Sequence, residues 1–583
     1  MEYHYTAEKN ILMLMALMKA HDVKKIIASP GSTNITFVAS LMQDPYFEIY
    51  SAPDERSAAY MACGMAVSSG EPVALSCTGA TASRNYIPGL TEAFYRKLPV
   101  LAITSTQHSG QVGHYVPQVI DRSVPLNDMV NLSVQIPLIH DDMDAWAANV
   151  SINKALLELK HRGGGPVHIN LTTAYPFVPA DFSVKELPDS RIIHRIEFGD
   201  SFPNLGGRKI GIFIGNHKPM DDKLTKAIEE FCERYNAVAL CDHTSNYTGK
   251  YGLSASLVTS QDSYFPSCAH IDTLIHIGEV SGSYMNFRCK EVWRVEQEGQ
   301  IRDTFRKLKY VFEMNETAFF SHYTNSVTEY PHNTYYSEWE TEYQELVDKI
   351  EDVPFSNIWM AQKTFDKLPA DSSLYLGILN SLRAWNFCPL RKDIVGFSNT
   401  GGFGIDGLMS SLLGSALTDK NRLFYEVIGD LAFFYDMNVL GNRHLPANIR
   451  ILLVNNGKGT EFRNYTNFAS KFGDEADEYI AAGRHYGNKS NTLVKHYSED
   501  LGFIYLTAST KEEYLNSLDV FCAPAIGDKP ILLEVFTNNE DEDAALNMMR
   551  NLKQQKGKQA AKEIAKNILG DKGVAAVKHL LKR

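Results

Sequence analysis

Short apolar runs, each closing on glycine, proline or a small polar turn and each followed by a segment of helical length, recur along this chain. Residues 24–29 run into Pro30-Gly31-Ser32, and residues 72–77, 99–104 and 166–171 repeat the pattern. The Ala- and Met-rich residues 56–67 between two of these runs have helical spacing. Strands that are apolar throughout and alternate with helices form parallel sheets covered on both faces. The pattern restarts after the polar stretch 185–205, with runs 209–215 and 273–278 ending in glycine. It restarts again after Pro354, with runs 373–377, 423–428, 449–455 and 530–535. The fold class expected is therefore α/β, as three doubly wound parallel-sheet domains at 1–185, 186–350 and 351–545. Residues 546–583 form a tail. From Lys553 onward it holds nine Lys/Arg against Glu563 and Asp571. It reads as a basic helix packed on its own or a neighbouring subunit, with a membrane or nucleic-acid contact as the alternative.

Composition narrows the function class. At 583 residues there is room for three or four domains, and 44% hydrophobic with 22% charged residues is ordinary globular usage. A net charge of −12 argues against bulk nucleic-acid binding. No apolar run approaches the ~20 residues that span a bilayer. Met1-Glu2-Tyr3-His4-Tyr5 lacks the basic and apolar regions of a secretory leader, and the eight cysteines show no C-x-x-C spacing. A cytoplasmic enzyme is the expectation.

The strongest chemical signal lies in the third block. The run 423–428 leads into Gly429-Asp430-Leu431, and the run ending at Val454 leads into Asn455-Asn456-Gly457-Lys458-Gly459. Parallel strands release both turns at the same carboxyl edge, where open α/β sheets bind ligands. A carboxylate, an amide oxygen and glycine-exposed backbone suit a hard cation shared with substrate phosphates. The helix start offers N–H groups to a diphosphate. Either half alone is a common cap or turn; the pairing, 26 positions apart, is what carries the reading.

This pairing resembles the metal-binding motif of the thiamin diphosphate-dependent decarboxylase and carboligase superfamily. The resemblance implies that Mg²⁺ is held by Asp430, Asn456 and the backbone carbonyl of Lys458, with Gly429, Asp430, Leu431 and Asn456 against the cofactor. Leu431 departs from the commoner glycine. It also implies a glutamate after an early strand, matched by Glu55 in Asp54-Glu55-Arg56-Ser57-Ala58-Ala59. That residue would hydrogen-bond the cofactor's pyrimidine nitrogen from an apolar pocket that favours its protonated form. The domains become, in order, pyrimidine-binding, central and diphosphate-binding. The first of one subunit would face the third of another in a homo-oligomer, a dimer or tetramer.

Within the superfamily, Ser29-Pro30-Gly31-Ser32, Cys77-Thr78-Gly79-Ala80, Asn380-Ser381 and Ser398 through Gly407 are similar to the menaquinone-pathway synthase family, which joins a unit made from 2-oxoglutarate to isochorismate. By this likeness Ser381 lies near the diphosphate, and Gly404 and Ile405 support the cofactor. The departures are equally informative. Thr33, Thr400 and Thr106-Gln107-His108 stand where that family has substrate-binding arginines. Losing three cations from one pocket removes charge-assisted binding of dicarboxylates. The expected substrates are therefore a pyruvate-like 2-oxo acid and an aldehyde or ketone acceptor. His114 and Gln118 are candidates for handling the acceptor, with His108 and Glu461 similarly placed, and Arg84 and Asn85 are cofactor-side or packing residues. Three rivals stay open within the fold: an acetolactate-synthase-like reaction, the menaquinone-pathway reaction itself, and an inactive subunit. A different reading takes Gly402-x-Gly404-x-x-Gly407 as a dinucleotide fingerprint, which needs a carboxylate closing the next strand; Asp419 sits before that strand and Glu426 lies within it, so the segment reads instead as a glycine-rich cofactor turn.

Overall fold

The structure, a computed structural model, describes residues 4–175, 181–205, 209–283, 285–326, 334–485 and 489–554. The basic helical tail expected from the sequence falls almost wholly outside these residues. The chain divides into two compact units: Met1–Ser201 with Glu298–Glu313, and Phe202–Gln297 with Met314–Arg583.

In the first unit the strands are β1 (Lys25–Ala28), β2 (Glu48–Ser51), β3 (Val73–Cys77), β4 (Val100–Thr106), β5 (Leu132–Ile136), β6 (Val167–Thr172) and β7 (His194–Ile196). Six of them form a parallel sheet in the order β2-β1-β3-β4-β6-β5. Every residue of β3, β4 and β6 is buried, as expected for strands covered on both faces. One face packs on the helix Glu55–Ser69, which Asp54 caps by accepting from the Ser57 N–H at 2.7 Å and which Gly70 ends at φ +70°. The buried residues of this helix are small (Ala58, Ala59, Ala62, Cys63 and Ala66), and its closest neighbour is the helix Ile87–Tyr95. A Cβ on Gly89 would overlap Ala59, so small residues on both sides permit the close crossing.

The second unit carries β8 (Ile210–Ile214), β9 (Val238–Cys241), β10 (Gly252–Ser254), β11 (His270–Ile277) and β12 (Arg288–Glu296), parallel in the order β10-β9-β8-β11-β12. β13 (Leu308–Glu313) belongs to the first unit, where it pairs in parallel with β7. The second unit also carries β14 (Ser373–Leu376), β15 (Val395–Phe397), β16 (Phe424–Gly429), β17 (Ile449–Asn455), β18 (Ile504–Ala508) and β19 (Ile531–Phe536). Their order, β15-β14-β16-β17-β19-β18, repeats the topology of the first sheet strand for strand. In both sheets the first strand sends the chain to one side and then to the other. A crevice therefore opens beside it at the carboxyl edge, between β1 and β3 in one sheet and between β14 and β16 in the other. The α/β, doubly wound, three-sheet architecture expected from the sequence is the one observed.

Candidate active site

In the third sheet Gly429 pairs with Val454, so β16 and β17 end level and their turns leave side by side. Asp430 opens the helix Asp430–Asp436 and is buried. Its Oδ1 accepts from the Leu431 N–H at 2.8 Å and its Oδ2 from the Gly457 N–H at 2.7 Å. The two halves of the motif are thus tied directly. Gly457 takes φ +80°, a left-handed conformation that suits glycine and turns its N–H back to the carboxylate. Burial pushes the Asp430 carboxyl up to about 7, against the two backbone donors that stabilise its anion. The Oδ1 of Asn456 is buried without a hydrogen bond, while its Nδ2 donates to Thr460 Oγ1 at 3.4 Å. A carboxylate held in low dielectric beside an unsatisfied amide oxygen is a donor set that a hard divalent cation completes. The residues present fit Mg²⁺. The Lys458 side chain turns away, pairing with Asp477 at 2.6 Å, and only its backbone carbonyl is a candidate ligand.

The crevice beside β14 is organised by Asn380, Ser381 and Glu461, which the sequence reading singled out, together with Asn357 and Glu542, which it passed over. Ser381, in the helix Asn380–Trp385, is buried and accepts from Asn357 Nδ2 at 3.3 Å. Asn357 is held by Trp385 Nε1 at 3.0 Å and by both oxygens of Glu542, each 3.1 Å from its backbone N–H. The enclosed Glu542 carboxyl is pushed up to about 7 by burial. The Asn380 amide lies 2.7 Å from Thr460 Oγ1 and, in the orientation that satisfies both its ends, also bridges to Glu461. Glu461 pairs with Arg383 at 2.6 Å, so it is a braced carboxylate shortly after the Asn456-Gly457 turn. Asn357 and Glu542 left no local signal, because each acts through a contact more than 20 positions away in the chain.

The Gly-rich segment follows β15, an edge strand, and ends at Gly407, φ +73°, which caps the helix Leu408–Ala416. Ile405 packs on the core of this sheet, and a Cβ on Gly404 would strike the Asp406 carboxylate. A dinucleotide site would place this turn after the strand beside the crevice, with its acid at a strand end. Here the strand is peripheral and Glu426 is buried in mid-strand, so the dinucleotide reading fails.

In the first unit the registers Ala28–Ser51, Ala28–Ser76 and Cys77–Thr104 bring the turns after β1, β2, β3 and β4 to one edge. Glu55 is half-buried there, and its Oε2 accepts from Asn85 Nδ2 at 3.1 Å. Asn85 is thereby the residue that orients Glu55 within its own unit, while Arg84 reaches the Asp121 carbonyl at 2.9 Å. Thr33 is only 2% exposed. Its hydroxyl lies 2.7 Å from Thr78 Oγ1 and donates to the Ser105 carbonyl at 3.1 Å, a closed neutral network. Thr400 is equally buried, and Asn216 Nδ2 donates to its hydroxyl at 2.8 Å. Gln107 is buried, whereas His108, His114 and Gln118 are exposed on the loop after β4. A Cβ on Gly79 would lie 2.6 Å from the Gln118 carbonyl, so this glycine lets the loop settle on the β3 turn. One further cluster, His161, Glu197 and Glu313, has metal-ligand types, but Arg162 pairs with Glu313 at 2.8 Å and the group reads as an ion-pair network. Among the described residues no helix is long and apolar enough to cross a membrane.

Comparison with known proteins agrees with this geometry. Residues 12–124 match the thiamine pyrophosphate enzyme family, N-terminal TPP binding domain. The 2-succinyl-5-enolpyruvyl-6-hydroxy-3-cyclohexene-1-carboxylate synthase of Phocaeicola vulgatus is 30% identical, over 93% of this chain and 98% of its own. The protein of the same name from Bacteroides thetaiotaomicron is 30% identical over 94% of this chain and its whole length. That from Bacteroides fragilis is 29% identical over 93% and 98%. The chain therefore belongs to the thiamine pyrophosphate-dependent enzyme family that contains these synthases.

Proposed function

We propose that this enzyme uses thiamin diphosphate and Mg²⁺ to decarboxylate a small 2-oxo acid, pyruvate being the simplest, and to transfer the acyl carbanion to an aldehyde or ketone acceptor. When bound, the cofactor supplies the electron sink for carbon–carbon bond cleavage. The protein's own residues bind, orient and exclude water. Asp430, Asn456 and the Lys458 carbonyl would hold Mg²⁺, and Ser381 with the N–H groups after Gly429 would meet the diphosphate. Gly404 and Ile405 would support the ring system, and Leu431 would close the apolar side. Glu55, oriented by Asn85, would hold a proton at the pyrimidine nitrogen. His114 and Gln118 would meet the acceptor from the loop after β4. The pyrimidine-binding domain of one subunit would face the diphosphate-binding domain of another, making the working enzyme a homo-oligomer.

The observation that carries the substrate assignment is the burial of Thr33 and Thr400 in satisfied neutral networks. Neither position offers the charge that a dicarboxylate donor and acceptor demand. Full-length similarity to the synthases favours a second reading, their own reaction. One assay separates the two: CO₂ release from pyruvate and from 2-oxoglutarate, with and without isochorismate or simple aldehydes. Release from pyruvate-like acids, enhanced by a neutral acceptor, supports the proposal. Release confined to 2-oxoglutarate with isochorismate rejects it.

A further inference from the structure

Packing holds only part of the turn from Gly401 to Gly407. Ile405 rests on the core of its sheet, but Cβ atoms built on Gly401 or Gly402 would have no neighbour within 4 Å. Phe403 sits at φ +54°, a left-handed conformation that is costly for a bulky side chain. Such a conformation persists only where the surrounding structure over-determines it. The stem leading into the turn is β15, a three-residue strand at the edge of its sheet. An edge strand leaves one row of backbone groups without a partner strand, so its position depends on what meets that row.

Two asparagines that follow strands of the middle sheet meet it. Asn246, shortly after β9, donates through Nδ2 to the Gly396 carbonyl at 2.9 Å, and its Oδ1 accepts from the Gly396 N–H at 2.9 Å. One side-chain amide thus supplies both hydrogen bonds that a further strand would give. The approach is close enough that a Cβ on Gly396 would overlap the His243 carbonyl. Asn216, shortly after β8, donates through Nδ2 to the Ser398 carbonyl at 3.2 Å and to Thr400 Oγ1 at 2.8 Å. The two asparagines are linked, because Asn246 Nδ2 also donates to the His217 carbonyl at 2.7 Å. Residues 396, 398 and 400 are therefore held in succession, up to the first glycine of the turn.

We infer that Asn216 and Asn246 are positioning residues through which the middle sheet sets the Gly401–Gly407 turn, and with it the cofactor's ring system; this rests on the thiamin diphosphate reading above. The diphosphate end would be anchored separately, by the Asp430–Asn456 turn. Loosening the stem would then shift the rings against Glu55 without releasing the cofactor, and a misplacement of ~1 Å can cost about 10²-fold in rate. The test uses the full-length protein with thiamin diphosphate and Mg²⁺. Asn216→Ala removes the donor to residues 398 and 400, and Asn246→Gly removes the second amide while suiting φ +51° at that position. At saturating cofactor each variant should slow exchange of the thiazolium proton at least ~10-fold. The Kd for the cofactor, read by calorimetric titration, should stay at the wild-type value. Asn216→Asp keeps the shape but sets an acceptor against the Ser398 carbonyl, so it should not restore exchange. Should one variant fail to fold, the other decides. A smaller fall in exchange at saturation, or a loss confined to cofactor affinity, overturns the inference while leaving the proposed function intact. A wild type that neither binds the cofactor nor exchanges its proton overturns both.

Discussion

At the scale of single residues, the site depends on charge placed where water is scarce. Asp430 is buried, yet its two oxygens reach only backbone N–H groups, and Asn456 Oδ1 has no donor. Asp430→Asn keeps the shape and removes the charge that would hold the cation. Its affinity for thiamin diphosphate in the presence of Mg²⁺ should fall at least ~100-fold by calorimetric titration, with far-ultraviolet circular dichroism unchanged. Unaltered affinity would reject the metal assignment. Glu55 offers a complementary test, because its proposed role is proton handling and not anchoring. Glu55→Gln should retain the cofactor but slow exchange of its thiazolium proton by about 10²–10⁴-fold, read by nuclear magnetic resonance after quenching. Asp430, Asn456 and Glu55 could be picked out as candidates in the sequence because each follows closely on a strand, Asp430 and Glu55 opening a helix and Asn456 lying in a turn. Asn357 and Glu542 were not, and Asn85 was read only as a cofactor-side or packing residue, since their contacts are with partners brought near by folding.

At the scale of elements, two contacts support the site from behind. The helix bearing Glu55 meets the helix Ile87–Tyr95 where Gly89 faces Ala59. Gly→Ala within an exposed helix would be favourable by roughly 0.5–1 kcal/mol. Here the new methyl would meet Ala59 and the Tyr60 backbone, which cannot swing aside. Overpacking of about 1–3 kcal/mol therefore wins, and Gly89→Ala should lower the thermal midpoint. The second contact is Glu542 beneath Asn357 and Ser381. The folded chain keeps this carboxyl protonated to about pH 7, against an ordinary value of 4.5. Between those values the folded state holds the extra proton, so the group's contribution to stability is complete below 4.5 and is lost as pH rises towards 7. Glu542→Gln should lose less stability than the wild type on going from pH 5 to 7.5 in denaturant titrations; equal losses would show that another group dominates. Element legibility followed burial. The strands found from sequence, such as β3, β4 and β17, are buried throughout. Those not read from the sequence, β2, β5, β7, β10, β12, β13, β15 and β18, are short or partly exposed, so their apolar signal is weak, whereas β9 is buried throughout but only four residues long.

At the scale of the whole molecule, two sheets of identical strand order open their crevices in different units, one offering Glu55 and the other the Asp430–Asn456 turn. Alternating strands and helices made the class of fold readable, but they carry no information about which copy of the chain completes which site. A mixing experiment supplies it. Glu55→Gln and Asp430→Asn each disable one half of the proposed site, so either homo-oligomer should be close to inactive. If each site draws its halves from two subunits, a mixed dimer carries one site with both defects and one with neither. Random reassortment after co-refolding makes half the dimers mixed, and activity should return to about a quarter of the wild-type value. If each chain builds its own site, every site in the mixture keeps one defect and activity stays near zero. The proposed subunit arrangement therefore stands or falls on recovered turnover, whichever 2-oxo acid proves to be the donor.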